Sequence, residues 1–255
     1  MNSPLNVNGK RALVTGASQG LGVAIVHALA DAGVDLVLTA RSERSLKALA
    51  DEITERHRVR VATVAADLSD ADEVERLARQ GLAVFGGLDI LVNNAGISIP
   101  EAVTELSVTA WDATMAVNLR APALLGSRVG GAMAAAGRGG KIVSISSAAG
   151  ITALAEHYAY SVSKAALVMA TKMLALELGP ANVQSNVISP TVVMTEMGQR
   201  VWGEPDKAGP MLARIPLGHF AQPADVANAV LYLVSPAADM INGVDLPVDG
   251  GYSAV

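Results

Sequence analysis

Within the stretch EHYAYSVSK, residues 156–164, Tyr160 and Lys164 stand four positions apart. On a helix that spacing stacks the two side chains one turn apart on the same face. An ammonium held beside a phenol favours the phenolate, so the pair predicts a tyrosine whose pKa falls from about 10 toward neutrality. A phenol tuned in this way gives or takes a proton, which is the work of a general acid or base. The chain carries only four tyrosines, so the placement is notable. The same spacing also suits an ordinary helix with a half-buried tyrosine and a solvated lysine. The rest of the chain has to decide between these two.

The elements that position the pair begin with composition. A length of 255 residues fits one large domain or two small ones. Hydrophobic residues make up 51% and aromatic residues 3%, so the core is built of small aliphatic side chains. The absence of cysteine excludes disulfides and thiolate metal sites and fits a reducing compartment. No His/Asp/Glu cluster has ligand spacing, so no metal is expected. Net charge is −5 with both signs interspersed, which gives no footprint for nucleic acid. The opening MNSPLNVNGKR lacks the apolar core of a signal peptide. No apolar run reaches the roughly 18 residues of a membrane span. A cytoplasmic protein acting on a small-molecule substrate, with no nucleic-acid or membrane partner, is the expectation.

Short runs rich in Val, Ile and Leu lie at 11–16, 34–40, 59–67, 88–96, 141–147 and 183–190. Each is bounded by Gly, Asp, Asn or Ser, as buried strands are. Helical patterns occupy 20–33, 43–57, 70–86, 102–135 and 158–180, another begins near PADVANAV, and a last strand follows in GVDLPVDGG. Strand alternating with helix predicts an α/β fold, a doubly wound parallel sheet of about seven strands with helices on both faces. No linker or repeat divides residues 1–255, so one domain is expected. Residues 194–219 break the rhythm after the carboxyl end of a strand, where such sheets bind ligands, and are expected to form a substrate lid.

After the first strand, TGASQGLG places glycines at 16, 20 and 22 at the start of a helix. Glycines let the backbone turn tightly against a pyrophosphate, whose charge the helix N-terminus meets. Cofactor choice turns on the end of the second strand. Ala40 and Arg41 stand where a carboxylate would bind a ribose 2′-hydroxyl, so nothing repels a 2′-phosphate and a guanidinium is placed to hold it. Ser42 adds a hydroxyl. NADP(H) is therefore favoured over NAD(H), although Gln19 is uncharged in a turn where a second cation would help.

The glycine spacing, NNAG at 93–96, Asn118, SISS at 144–147 and the Tyr160–Lys164 pair follow one another in an order that resembles the short-chain dehydrogenase/reductase family across nearly the whole chain. The resemblance implies a Rossmann-type domain and gives roles to its matched positions. Tyr160 is the general acid/base, and Lys164 supports it and holds the nicotinamide ribose. Ser147 orients the substrate oxygen; its neighbour Ser146 competes, but alternate strand residues point to opposite faces. Asn118 would hold a water linking Lys164 to solvent, unless it is a helix amide bonding backbone. Gly16, Ser18, Gln19, Gly20, Leu21 and Gly22 form the pyrophosphate turn, and Asn94, Ala95 and Gly96 border it. Asp67 with Leu68 would meet adenine, with a helix-capping role for Asp67 as the alternative. Pro190 and Val193 would face the nicotinamide carboxamide and Thr195 the pyrophosphate, although Thr191 replaces the family's usual glycine.

The C-terminal third, including Pro190-Thr191, RIPLG and LPVDGGY, resembles the ketose- and dicarbonyl-reducing branch of that family. That likeness implies His157 and Trp202 in the substrate pocket; a surface histidine and a lid-packing tryptophan are the plainer alternatives. Ala148 stands where that branch carries a polar amide, so one substrate hydrogen bond is missing. A 3-oxoacyl thioester reductase would share the catalytic residues but needs a basic patch for an acidic carrier, and none is evident. A non-catalytic dinucleotide sensor would not need both Tyr160 and Lys164. The resemblance also implies a homotetramer built on long apolar helices.

Overall fold

A computed structural model of the chain describes residues 3–254, apart from the side chains of Met197 and Lys207. The first half alternates as β1 (Arg11–Thr15), α1 (Gly20–Asp31), β2 (Asp35–Thr39), α2 (Glu43–Arg56), β3 (Val61–Thr63), α3 (Ala71–Val84) and β4 (Ile90–Asn93). There follow α4 (Val108–Met115), α5 (Ala121–Ala136), β5 (Gly140–Ile145), α6 (Tyr158–Leu178) and β6 (Val183–Pro190). The chain ends with α7 (Glu196–Trp202), α8 (Pro205–Leu212), α9 (Pro223–Val234) and β7 (Asp245–Val248).

The strands form a single parallel sheet in the order β3-β2-β1-β4-β5-β6-β7. Strand side chains alternate between two cores, as the pleat requires. Ala12 and Val14 of β1 face a core shared with α1, α2 and α9, whereas Leu13 faces one shared with α3 and α5. Burial on both faces explains why the strands read as continuous apolar runs. The chain therefore forms one Rossmann-type domain. Strand order reverses between β1 and β4, so a crevice opens at their carboxyl ends, the place where doubly wound sheets bind ligands.

The expected helix over 102–135 is not continuous. A 3-10 turn covers Val103–Glu105, Ser107 caps α4 by accepting from the Ala110 N–H, and a π-helical segment, Ala116–Arg120, joins α4 to α5. The expected β3 is also shorter than its apolar run. Residues 194–219 hold two short helices, α7 and α8, rather than an open loop. Beneath them a third apolar cluster gathers Ala148, Ala208, Ile215, Phe220 and Tyr252, with Trp202 and Met211 packed against it.

Candidate active site

The turn between β1 and α1 is shaped by contacts that a side chain would destroy. A Cβ on Gly22 would lie 2.1 Å from the Gly16 carbonyl oxygen, and Gly16 and Gly20 have φ of 64° and 55°. Asn94 closes the turn from the neighbouring strand: its Nδ2 donates to the carbonyls of Thr15 at 3.0 Å and Gly16 at 3.2 Å. The Thr15 hydroxyl accepts from the N–H groups of Asn94 and Ala95 in return. Helices α2, α3 and α4 are capped by the side chains of Ser42, Asp70 and Ser107. Helix α1 starts after Gln19 with no side-chain cap and no acidic residue in its first turn. Its first N–H groups and the positive end of its dipole are thus left for an anion. At the far end of the crevice, the Thr191 hydroxyl is buried without a protein partner. The first feature fits the pyrophosphate at the middle of a nicotinamide dinucleotide and the second its nicotinamide end.

Against the glycine turn, Thr195 caps α7 by accepting from the Gly198 N–H, and its Cγ2 lies 3.6 Å from where a Gly20 Cβ would stand. The residues after β6 are held by backbone bonds, Met194 N–H to Ala221 O at 2.9 Å and Ala221 N–H to Val192 O at 3.1 Å. That pairing sets Val193 against Ala221 as an isolated parallel bridge. Among the described non-glycine residues only Glu156 and Asn182 have positive φ. Thr191 therefore makes no glycine-like demand, which explains how it replaces the usual glycine.

Beside β2, a cavity of about 210 Å³ is lined by Arg41, Ala65, Ala66, Asp67 and Glu73. Asp67 accepts from both the N–H and the hydroxyl of Ser69, which holds its carboxyl below the usual range. The capping alternative for Asp67 is not what is observed, because Asp70 caps α3 itself. Leu68 beside it is buried. Ser42 accepts from the Ser45 N–H and shares a hydrogen bond with the Ser45 hydroxyl, so its oxygen is already engaged.

At the carboxyl end of β5 the proton-handling residues converge. Ser146 turns into the core and donates to the Lys164 carbonyl at 3.0 Å, while Ser147 lies beside the Tyr160 hydroxyl and accepts from the Ala149 N–H. Lys164 is 3% exposed. Its ammonium donates to the Ile145 carbonyl at 2.8 Å and lies 5.7 Å from the Tyr160 ring centre. Gly96 leaves room for it, since a Cβ there would stand 3.3 Å from Nζ. Asn118 lies in the π segment, and its amide is spent on backbone: Oδ1 accepts from the Ile97 N–H and Nδ2 donates to the Ile97 carbonyl, each at 2.9 Å. Nδ2 also donates to Ser163, whose hydroxyl donates to the Tyr160 carbonyl. Ser163 was not among the expected residues, although its place three positions after Tyr160 offered a signal. Glu73 offered none.

The charge states depart from expectation. Burial pushes the Tyr160 phenol above its ordinary value, with the nearby Ser147 hydroxyl opposing. The protein alone therefore keeps Tyr160 protonated, and the expected lowering by Lys164 is absent from it. Burial brings Lys164 down to about 8. A lysine depressed on folding destabilises the fold at every pH below about 8. The penalty, about 3 kcal/mol, disappears as pH rises toward the unfolded value near 10.4. Lys164→Met is accordingly expected to melt several degrees higher than the parent at pH 7, with the gain shrinking by pH 10. A thermal melt at both pH values checks this, and equal gains at both would remove the buried charge as the cause.

His157 and Trp202 take different places. The His157 ring sits edge-on to Tyr160, with centroids 6.1 Å apart, and its Nδ1 is 2.8 Å from the Ala155 carbonyl. Trp202 packs 6.1 Å from the Phe220 ring in the cluster beneath α7 and α8.

A glycine turn at an uncapped helix, a serine and tyrosine at the end of the central strands, and a buried lysine one turn on define a nicotinamide-dependent alcohol dehydrogenase or ketone reductase. Residues 16–253 match the family model described as enoyl-(acyl carrier protein) reductase, and the chain belongs to the short-chain dehydrogenase/reductase family. It is an oxidoreductase of the kind that acts on CH–OH groups. Its relatives include L-xylulose reductase of Mesocricetus auratus, 44% identical over 97% of this chain and 98% of that one. D-threitol dehydrogenase of Mycolicibacterium smegmatis is 42% identical over 97% and 94%. A gluconate 5-dehydrogenase from Burkholderia cenocepacia, solved with NADP and tartrate, superimposes with a TM-score of 0.93 at 29% identity, covering 99% and 98% of the two chains. Among the described residues no helix is long and apolar enough to cross a membrane.

Proposed function

We propose that the chain interconverts a ketose or small dicarbonyl and the matching alcohol with NADP(H). The convergence of Ser147, Tyr160 and Lys164 beside the uncapped α1 turn carries this reading. The names of its L-xylulose- and threitol-specific relatives support the substrate class.

When bound, the nicotinamide donates hydride to the carbonyl carbon or accepts it from the carbinol. The rest is the work of this chain. In reduction Ser147 hydrogen-bonds the carbonyl oxygen and fixes its place against Tyr160. The Tyr160 hydroxyl, kept protonated by burial, gives its proton to that oxygen as negative charge develops there. Lys164 holds the ribose hydroxyls. The proton returns to Tyr160 by way of Lys164, while Asn118 braces the backbone of Ile97. Gly16, Ser18, Gln19, Gly20, Leu21 and Gly22 cradle the pyrophosphate with Thr195. Asn94, Ala95 and Gly96 border the nicotinamide ribose, and Pro190 and Val193 face the carboxamide. Asp67 and Leu68 flank adenine. His157, whose Nδ1 donates to the Ala155 carbonyl, accepts from a substrate hydroxyl through Nε2, and residues 194–219 close over the site with Trp202 anchoring them. The exposed Met169, Met173 and Leu176 along α6 suit burial between subunits of a tetramer in the cytoplasm.

Initial rates with NADPH and NADH on L-xylulose, diacetyl and an acetoacetyl thioester test the reading. Activity confined to the thioester would overturn it. Arg41→Ser is expected to raise the KM for NADPH about 10- to 100-fold, the loss of a charge-assisted phosphate contact, and to leave NADH unchanged. Equal effects on both cofactors would remove Arg41 from the phosphate site.

A further inference from the structure

Glu156 has φ of 63°, in the left-handed region that favours glycine and asparagine. Its turn explains why the strain is kept. The His157 N–H donates to the Leu154 carbonyl at 3.3 Å, closing a turn over 154–157 whose third residue alone has positive φ. That is the type II pattern, which calls for glycine or asparagine at the place Glu156 holds. With the backbone so turned, the Glu156 carbonyl accepts from the Glu101 N–H at 2.8 Å, and His157 pairs with Glu101 as an isolated parallel bridge. Glu101 in turn accepts from the N–H and hydroxyl of Ser107, the cap of α4. One strained residue thus couples the start of α6, where the His157 ring lies against Tyr160, to the loop after β4. The Glu156 side chain itself is exposed.

We infer that Glu156 is a positioning residue: its left-handed backbone, and not its carboxylate, fixes the His157 ring beside Tyr160 and so sets the grip on a hydroxylated substrate. Strain of this kind is retained where the surrounding structure uses it. The meaning given to the grip rests on the proposed function; the placement of the ring does not.

Three variants separate the causes. The chain has four histidines, so the His157 ring proton resonance is assigned by its loss in His157→Asn. Glu156→Gln keeps the backbone reluctance and loses the charge, and is expected to match the parent in resonance and kinetics. Glu156→Asn relieves the strain and is expected to keep the resonance and melt about 2–4 °C higher. Glu156→Val resists positive φ. It is expected to move the resonance and raise the KM for L-xylulose about ten-fold while kcat changes little, and to leave diacetyl reduction, which lacks a hydroxyl contact, unaffected. An unmoved resonance and unchanged KM in Glu156→Val overturns the inference, as does a KM effect in Glu156→Gln. Should Glu156→Val not fold, a melting point for Glu156→Asn no higher than the parent overturns it instead. If the parent reduces no ketose, the proposed function fails, while the resonance and the melts still decide the role of Glu156.

Discussion

Replacing Tyr160 by Phe is expected to cut kcat/KM by about 10³- to 10⁴-fold, which is the contribution of a positioned proton donor. On the energy scale that is about 4–5.5 kcal/mol of the barrier. The fold has little stake in the hydroxyl. It neighbours Ser147, whose own oxygen already accepts from the Ala149 N–H, so stability should change by about 1 kcal/mol or less. Cofactor affinity, measured by quenching or enhancement of NADPH fluorescence, should stay within a small factor. Initial rates beside a thermal melt and a binding titration separate the three quantities. Turnover preserved in this variant would mean that another group supplies the proton, and the role given to the Ser147–Tyr160–Lys164 cluster would fall.

Gly22→Ala should damage the fold and the cofactor site together. Its Cβ would stand 2.1 Å from the Gly16 carbonyl oxygen, which is backbone of the turn, and 2.9 Å from Asn94 Nδ2, which is held by its bonds to Thr15 and Gly16. The start of α1 has to move away from β1, which pulls its N–H groups from the place where the anion is met. Overpacking of this kind costs about 1–3 kcal/mol of stability. Misplacing the turn should weaken NADPH binding by at least about 100-fold, since charge-assisted hydrogen bonds are lost together. Gly131→Ala in α5 is the control, because a Cβ there meets nothing within 4 Å. It should leave binding alone and, by helix propensity, stabilise by up to about 1 kcal/mol. Binding by Gly22→Ala equal to that of Gly131→Ala would show that the turn does not hold the cofactor.

The alternating strands and helices were legible because the inner strands are buried on both faces and read as apolar runs. The glycine turn was legible too, since its steric demand admits no other residue at position 22. What the sequence concealed depends on long-range packing. The run over 102–135 keeps an apolar helical pattern through Trp111, Leu119 and Leu125, so neither the Ser107 cap nor the π segment leaves a mark in it. Spacing placed Tyr160 and Lys164 on one helical face, as found. It carried no information on depth, and depth sets the direction of both pKa shifts. The turn at 154–157 was hidden for a related reason. Glutamate is not a residue that announces positive φ, and only the tie to Glu101 shows why the backbone is held there.

The π segment has a consequence of its own. One residue advances an α-helix by about 100°. A π turn, by taking in an additional residue, therefore sets α4 and α5 out of phase with each other. Each half can then keep its own neighbours: α4 stacks Trp111 beside Tyr158 of α6, while α5 sends Leu125 and Val129 into the core beneath the sheet. Excising a single residue from 116–120 would restore an unbroken helix of ordinary pitch, and the two halves could no longer both be satisfied. Either Asn118 would leave the backbone of Ile97, or the apolar stripe of α5 would rotate out of the core.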